Sequence, residues 1–488
     1  MDAVAGSSVD EVSVLRGQLA WARERIETLE VDNAGLVRDN EKLTVKNEKL
    51  TTEVEKLRAR LEESRRAGKR QAAPFSRGEK KSDPKRPGRK PGEAYGRRAR
   101  REAPPPERVD EVIEVGLPEC CGQCGGRVAF DEMAEQHQEE FVPAHARVRR
   151  YEIALGHCTD CKRRVRGRHA DQTSDALGAA GVMLGPNAHA LAAWLHVGLG
   201  VPMSKTAEIL HKMAGIKVTA GGLHSALHTT AGDAETTYQT LLDSLRNSRA
   251  VAADETGWRI DGVRGWLWVY VGDEVTVYDI AGGRGYEQAK QILGEDFAGV
   301  LERDGWAPYR KFVHARHQSC LAHLTRRCRE MIDDSVAGQA KVPHALARIL
   351  KDALAARDDG LQGEVLADAV ADLQQRIDTF CQRQPTHAPN RRLVDHTARE
   401  ADHLLTFLTF EGVEATNWRA EQGLRPMVVN RKHWGGNKTR AGADSQAVIA
   451  SVLRTAIQHD LDPIETLATI RTTGHIPDQL ADAIGPSP

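Results

Sequence analysis

At 488 residues, with 68 Lys plus Arg against 69 Asp plus Glu and a net charge of −1, the chain is too long for one core and predicts three or more domains at roughly 150 residues each. The balance names no partner, because the charges are unevenly placed. No stretch of about 18 apolar residues occurs and the N-terminus lacks the basic-then-apolar order of a secretory signal, so a cytoplasmic protein without membrane spans is expected, in which eight cysteines are thiols or metal ligands rather than disulfides.

Residues 10–64 carry a heptad. Leu15, Ala22, Leu29, Leu36, Leu43, Leu50 and Leu57 recur at d, and Val12, Leu19, Ile26, Asn33, Asn40, Asn47, Val54 and Leu61 at a. Leucine at d with Asn at a predicts a parallel, leucine zipper-like coiled coil and therefore a homo-oligomer, weakened in the middle by three successive Asn. A lone helix would leave the whole apolar seam in water. From 65 to 108 the chain turns basic and Pro-rich: Arg65 to Arg101 hold 15 Lys or Arg against three acids, including Arg86, Arg89 and Lys90 among prolines and glycines. No core can form from this composition, so a disordered linker is expected. Its cations can follow DNA phosphates or enter a minor groove; a merely solvated linker is the plainer reading.

Residues 109–175 form a predicted zinc-binding module. Cys121-Gly122-Gln123-Cys124 and, 33 residues later, Cys158-Thr159-Asp160-Cys161 are two C-x-x-C knuckles, and four thiolates make the closed tetrahedral site of one structural Zn2+. Val148–Leu155 alternates as a hairpin strand of a zinc ribbon would. Cys120 is a neighbouring thiol that could replace Cys121. Arg163 and Arg164 follow the second knuckle and extend a basic, DNA-facing surface. Residues 176–245 read as helices: one over Ala188–Leu195, one behind a Ser204 cap, and one behind Thr219 after a glycine turn, a helix-turn-helix-like order that any small bundle would share.

The run Ala250–Ala253 delivers Asp254 and Glu255 to the far end of a predicted strand, and Arg264–Val271 returns as a second. A third strand covers Val275–Ile280, and a helix Tyr286–Leu293. Gly299–Leu301 then leads to Glu302 and Asp304 in a repeat of the first arrangement. Residues 333–412 are mostly helical, 416–426 place Glu421 among basic groups, and 436–488 form a C-terminal helical segment. Two carboxylates at equivalent strand ends stay ionised cheaply only if cations bridge them. Two Mg2+ or Mn2+ ions held so can activate an attacking oxygen and stabilise the leaving oxygen of a phosphodiester.

Cys320-Leu321-Ala322-His323-Leu324-Thr325-Arg326-Arg327 is close to a Cys-Trp-Ala-His-x-Arg-Arg pattern. Asn417-Trp418-Arg419-Ala420-Glu421-Gln422-Gly423-Leu424-Arg425-Pro426, with Arg431-Lys432, is close to Asn-Asn-x-Ala-Glu-Arg-x-Leu-Arg-Pro and Arg-Lys. On these motifs nearly the whole chain resembles a transposase of the insertion-sequence-66 family. The resemblance implies a multidomain α+β protein: coiled coil, zinc ribbon-like module, helical helix-turn-helix-like region, and an RNase-H-like catalytic domain over 246–435 with a helical insertion at 333–412. It implies that Asp254, Asp304 and Glu421 are an Asp-Asp-Glu metal triad cleaving and joining DNA. Further implications are that Arg425, Arg431 and Lys432 contact DNA, that element ends and target are the DNA partners, and that accessory proteins of the same element take part at the nucleoid. Departures at Leu321, Thr325, Trp418 and Gln422 remove no carboxylate.

Each acid has an ordinary reading beside this one. Asp254 and Glu255 could be a solubilising pair, with Glu255 the other candidate ligand. Asp304 could cap a turn, with Glu302 its competitor two residues away. Glu421 could pair with Arg419 or Arg425, while His323 and Cys320 read as core residues. The alternative function is a catalytically inactive, transposase-derived DNA-binding or regulatory protein.

Overall fold

The computed structural model describes residues 7–69, 103–139, 145–169, 171–172, 183–336 and 338–485. It divides into two units, Met1–Gln138 and Glu139–Pro488. In the first, α1 (Ser7–Lys69) is one unbroken helix, as a Pro-free run rich in Leu, Glu, Lys and Arg favours. Its seam is exposed: Leu29 is 50%, Leu43 62% and Leu36 70% accessible. The helix enters the segment expected to be disordered, reaching Lys69, because Arg65–Lys69 contains good helix formers and no proline. Arg86, Arg89 and Lys90 lie outside the described residues. A short 3-10 turn, Pro106–Arg108, follows, and the remainder is irregular apart from the first knuckle.

The second unit begins with a small antiparallel hairpin, β1 (Leu155–His157) against β2 (Arg164–Arg166). The strand expected over Val148–Leu155 starts only at its last residue. Before it, the Ala154 carbonyl accepts the Gly167 N–H at 2.9 Å, and side chains tie the rest, Arg149 pairing with Asp171 and the Tyr151 hydroxyl donating to the Asp171 carbonyl at 3.3 Å. Helices α2 (Pro186–Ala193), α3 (Met203–Ala214), α4 (Ala220–Asp233) and α5 (Glu235–Arg246) follow. Ser204 does not cap α3: the helix starts at Met203 after Pro202, whose fixed φ suits the position just outside a helix. Gly215, at φ 71, ends α3, and Thr219 caps α4 by accepting the Gly222 N–H at 3.1 Å.

Five strands form the central sheet: β3 (Ala250–Ile260), β4 (Val263–Val271), β5 (Thr276–Ala281), β6 (Val300–Arg303) and β7 (Arg316–Ser319), in the order β5-β4-β3-β6-β7. The first three pair antiparallel and β3, β6 and β7 pair parallel. The β3–β4 turn is Asp261-Gly262, both at positive φ (51 and 73), the conformation a two-residue hairpin needs. Helix α6 (Tyr286–Leu293) joins β5 to β6. After β7 come α7 (Leu321–Asp333), α8 (Lys341–Asp358), α9 (Gly363–Cys381), α10 (Ala388–Glu400) and the one-turn α11 (Thr406–Thr409), and then α12 (Trp418–Trp434), α13 (Arg440–Gln458), α14 (Pro463–Thr473) and α15 (Asp478–Ile484).

Two cores result. One unites the sheet with α2–α6 and α12–α15; the other is built by α7–α11 and takes in Ala250 and Val300 of the sheet. The second core is fastened to the sheet by charge. Arg303, which ends β6, and Glu400, which ends α10, are both fully buried and paired at 2.8 Å, and Arg310 reaches the other Glu400 oxygen at 2.6 Å. Burial alone would raise the Glu400 carboxyl; the two guanidiniums hold it below its ordinary range. Among the described residues, no helix is long and apolar enough to cross a membrane.

Candidate active site at the end of the parallel ladder

Asp254 is not at a strand end. It is the fifth residue of β3, paired with Val269 of β4 in an antiparallel ladder that continues to Ile260. The aromatic partners Trp266 and Trp268 carry pairing past the acids, so the hairpin is longer than the apolar run alone suggests. What ends beside Asp254 is the parallel ladder: Ala250, Val251 and Ala252 stand opposite Val300, Leu301 and Glu302. Asp254 and Asp304 each follow the last pair, Ala252 opposite Glu302, by two residues. Asp304 lies one residue beyond β6. Its Oδ1 accepts the Trp306 N–H at 2.8 Å, so its turn-capping role is real and uses one of its two oxygens.

The third acid arrives on α12. Asn417, just before the helix, is buried and donates through Nδ2 to the Ala253 carbonyl at 2.8 Å, while its own N–H meets Cys320 Sγ at 3.2 Å. These bonds hang the start of α12 on the residue preceding Asp254. Gly423 lets the helix close onto β4, where an added Cβ would meet Val269 Cγ2 at 3.0 Å. Glu421, in the first turn, is exposed. Arg419 turns elsewhere, toward the Gly272 carbonyl and, at 3.8 Å, Glu302.

The competing acids have other partners. Glu255 points to the opposite face from Asp254, and both its oxygens are used: Oε1 by Arg284, Oε2 by the Tyr309 hydroxyl at 2.7 Å. Arg284 is itself held over the Trp306 ring at 3.9 Å. Glu302 is buried; Oε1 accepts the Glu414 N–H at 3.2 Å, Oε2 has no hydrogen-bond partner, and burial pushes the carboxyl up to about 7.

Asp254 carries the largest consequence. Burial first, then the Glu255 carboxylate, push its carboxyl up to about 8; Asp304 and Glu421 add to the rise, and the Glu255 N–H on Oδ1 opposes it. Asp304 and Glu421 thus both act on the Asp254 carboxyl, each less than Glu255 does. The donors are oxygen atoms that repel one another's charge, a set that suits a hard divalent cation. Among the described residues, however, no three His, Cys, Asp or Glu side chains are gathered closely enough to hold a metal ion.

The two cysteine knuckles belong to different units. In the first unit, Gly125 N–H bonds the Cys121 carbonyl at 2.8 Å and Cys121 N–H the Gly126 carbonyl at 2.9 Å, so the backbone folds around the thiol. N–H groups of Gln123 and Cys124 then hold the Cys121 thiol below its ordinary range. In the second, Cys158 and Cys161 occupy the β1–β2 tip. Cys158 N–H bonds the Arg163 carbonyl at 2.8 Å, and the N–H groups of Cys161 and Asp160 lower the Cys158 thiol. Lys162 takes the left-handed φ of 60 that the turn requires. Arg164 is exposed on β2. Of the cations around Glu421, Arg425 and Lys432 are exposed, whereas Arg431 turns inward and donates to Thr256 Oγ1 at 3.2 Å and to the Gly257 carbonyl.

Sequence reasoning did not find the Asn417 tether, the Arg284–Glu255–Tyr309 set or the Arg303–Glu400 pair. Asn417 sits inside a quoted motif, but its partner lies 164 residues away.

Residues 181–445 match the family model described as Transposase IS66 family. The chain is also 23% identical over 407 residues to an uncharacterised protein, y4qI, of Sinorhizobium fredii (strain NBRC 101917 / NGR234), a span covering 75% of this chain and 72% of that one. With more than half its length in the family match, this chain belongs to the IS66 family of transposases.

Proposed function

We propose that the chain is a DDE transposase that binds the ends of its element, cleaves DNA there and joins the freed end to target DNA. The observation that supports this reading is the parallel ladder that ends at Ala252 opposite Glu302, two residues before Asp254 and Asp304, with the start of α12, which carries Glu421, hung on the Ala253 carbonyl. The strand order, third-second-first-fourth-fifth with only the last two pairings parallel, supports an RNase-H-like catalytic domain.

Asp254, Asp304 and Glu421 would hold two Mg2+ or Mn2+ ions. When bound, such ions supply charge compensation and Lewis acidity for attack on a phosphodiester and departure of its 3′ oxygen. Asp254 would favour them because, without a cation, burial and the neighbouring carboxylates keep it protonated up to about pH 8, and a bound cation would take the place of that proton. Asn417 orients the helix, Arg284 and Tyr309 keep Glu255 out of the site, and Arg303 fixes the Asp304 backbone by donating to its carbonyl at 3.0 Å. One phosphodiester replaces another, so strand transfer needs no external energy source.

The exposed leucine seam of α1 supports a homo-oligomeric coiled coil, and the two knuckles, each with a lowered thiol, support one structural Zn2+ on Cys121, Cys124, Cys158 and Cys161. Arg86, Arg89, Lys90, Arg163, Arg164, Arg425 and Lys432 are the proposed DNA contacts, with Arg431 acting through strand β3. The setting is the cytoplasmic nucleoid, with accessory proteins of the same element as further partners. A second reading, an inactive transposase-derived DNA-binding protein, is favoured by one observation, that the three acids are not gathered into a finished cage. Mn2+-dependent 3′-end cleavage and strand transfer on DNA carrying the element ends separates the two: wild type active and Asp254→Asn inert supports the enzyme, whereas equal behaviour sinks it.

A further inference from the structure

A cluster of guanidinium groups stands over the turn that follows Asp304. On α10, Arg392, His396 and Arg399 are spaced four and three residues apart and so share one face. That face flanks the stripe Leu393, Thr397 and Glu400 that the helix buries. The helix α7 brings Arg327, half-buried, against them. Burial, and then the nearby Arg392 and Arg399 charges, loosen the Arg327 proton; burial also lowers the His396 imidazole, Glu400 opposes that, and Arg327, Arg399 and Arg310 add to the lowering. The cluster is anchored beside the site: a Cβ on Gly305 would come within 2.8 Å of His396 Cε1, so the imidazole rests on the residue after Asp304.

Like charges brought together without compensation oppose folding unless an anion repays them. The acid within reach, Glu400, is already committed to Arg303 and Arg310. Among the described residues, Arg327, Arg392 and Arg399 make no ion pair, although Asp395 stands four residues before Arg399 on the same helix. An ordinary solvated face would keep its cations apart and fully exposed; Arg327 is neither. Guanidinium forks match the two free oxygens of a phosphodiester, and the neighbouring carboxylates repel any ligand whose charge is not carried on a backbone that must pass there.

We propose that Arg327, Arg392 and Arg399, gathered beside His396 over the Asp304–Gly305 turn, form a site for the DNA backbone that grips a phosphate adjoining the bond to be cut. The site deepens the transposase reading and rests on it. It makes the helical insertion a part of substrate binding, and it ties that binding to Asp304 through Gly305 and through Arg303–Glu400.

The test uses the full zinc-loaded chain with no Mg2+ or Mn2+ added, so that nothing is cleaved, and a fluorescent DNA duplex of arbitrary sequence, with affinity read by anisotropy across a salt series. The variant Arg392→Gln/Arg399→Gln alters two exposed residues. The variant Arg348→Gln/Lys351→Gln removes the same charge from α8 as a control. The site predicts roughly tenfold weaker binding for the first variant and a salt slope smaller by about one to two, with a clearly smaller change for the control. Equal slopes in the two variants, or a first variant that matches wild type, overturn the site. Because no cleavage is read, an inert wild type in the Mn2+ assay would remove the enzymatic reading without touching this result. Active wild type with an unchanged slope would remove only the site.

Discussion

Replacing Glu400 by Gln preserves shape and removes one charge from the joint between the helical insertion and the sheet. Arg303 is fully enclosed there. Its Nη1 donates to Glu400 at 2.8 Å and to the Asp304 carbonyl at 3.0 Å, its Nε to His317 Nδ1 at 3.1 Å, and its Nη2 has no partner. Arg310 is 29% exposed and can turn to water; Arg303 cannot. The variant therefore strands one buried cation among neutral groups, a loss of about 3–5 kcal/mol, with almost no packing contribution to confuse it. The assay is urea denaturation followed by the fluorescence of the buried Trp258 and Trp268. Acid supplies an independent sign. The folded Glu400 carboxyl lies below its ordinary 4.5, so its stabilisation is present above about that pH and fades as pH falls through the lower folded value. Wild type should thus lose stability in acid faster than the variant, and Arg303→Met/Glu400→Leu should cost less than Glu400→Gln alone. A Glu400→Gln midpoint within about 0.5 kcal/mol of wild type, at equal slope, would refute the reasoning.

Asp254→Asn should abolish cleavage yet stabilise the metal-free protein. Each pH unit corresponds to about 1.4 kcal/mol, so a carboxyl carried from 3.8 to about 8 opposes folding by a ceiling of roughly 6 kcal/mol. The native state binds the extra proton between those values, so wild-type stability declines as pH rises across that window, and the gain of the variant, read by thermal melting, should grow over the same range and then level. Asn417→Ala removes the bond to the Ala253 carbonyl; about 1–3 kcal/mol should be lost in urea titration, with cleavage falling further than folding does. In the zinc-free protein, alkylation by iodoacetamide at neutral pH, mapped by mass spectrometry, should consume Cys121 and Cys158 first and Cys328, pushed up to about 11 by burial, last.

Local patterns carried much of this molecule. The Ala-Val-Ala-Ala run, the aromatic return strand and the amphipathic Tyr286–Leu293 segment each declare their own conformation, because a strand or helix that buries one face must show it in sequence. Asp254 was harder to place. An acid ends an apolar run, but whether it ends the strand depends on how far the neighbouring strand pairs, and Trp266 and Trp268 on β4 decided that. β7, a polar Arg-His-Gln-Ser segment, gives no periodic signal at all; its place follows from β6 beside it. The joints between distant elements were illegible for the same reason: Arg303 and Glu400 stand 97 residues apart, and nothing near either shows that the other will be enclosed with it. The family motifs pointed to Asn417 and Glu421 together, yet only the folded chain shows the amide hanging the helix on Ala253.

If Asp254, Asp304 and Glu421 act as one cation-binding set, anomalous diffraction from crystals soaked in Mn2+ will show Mn2+ density among these three side chains in wild type and its loss in Asp254→Asn crystals. Mn2+ bound elsewhere, or bound there equally well without the Asp254 carboxylate, would contradict it.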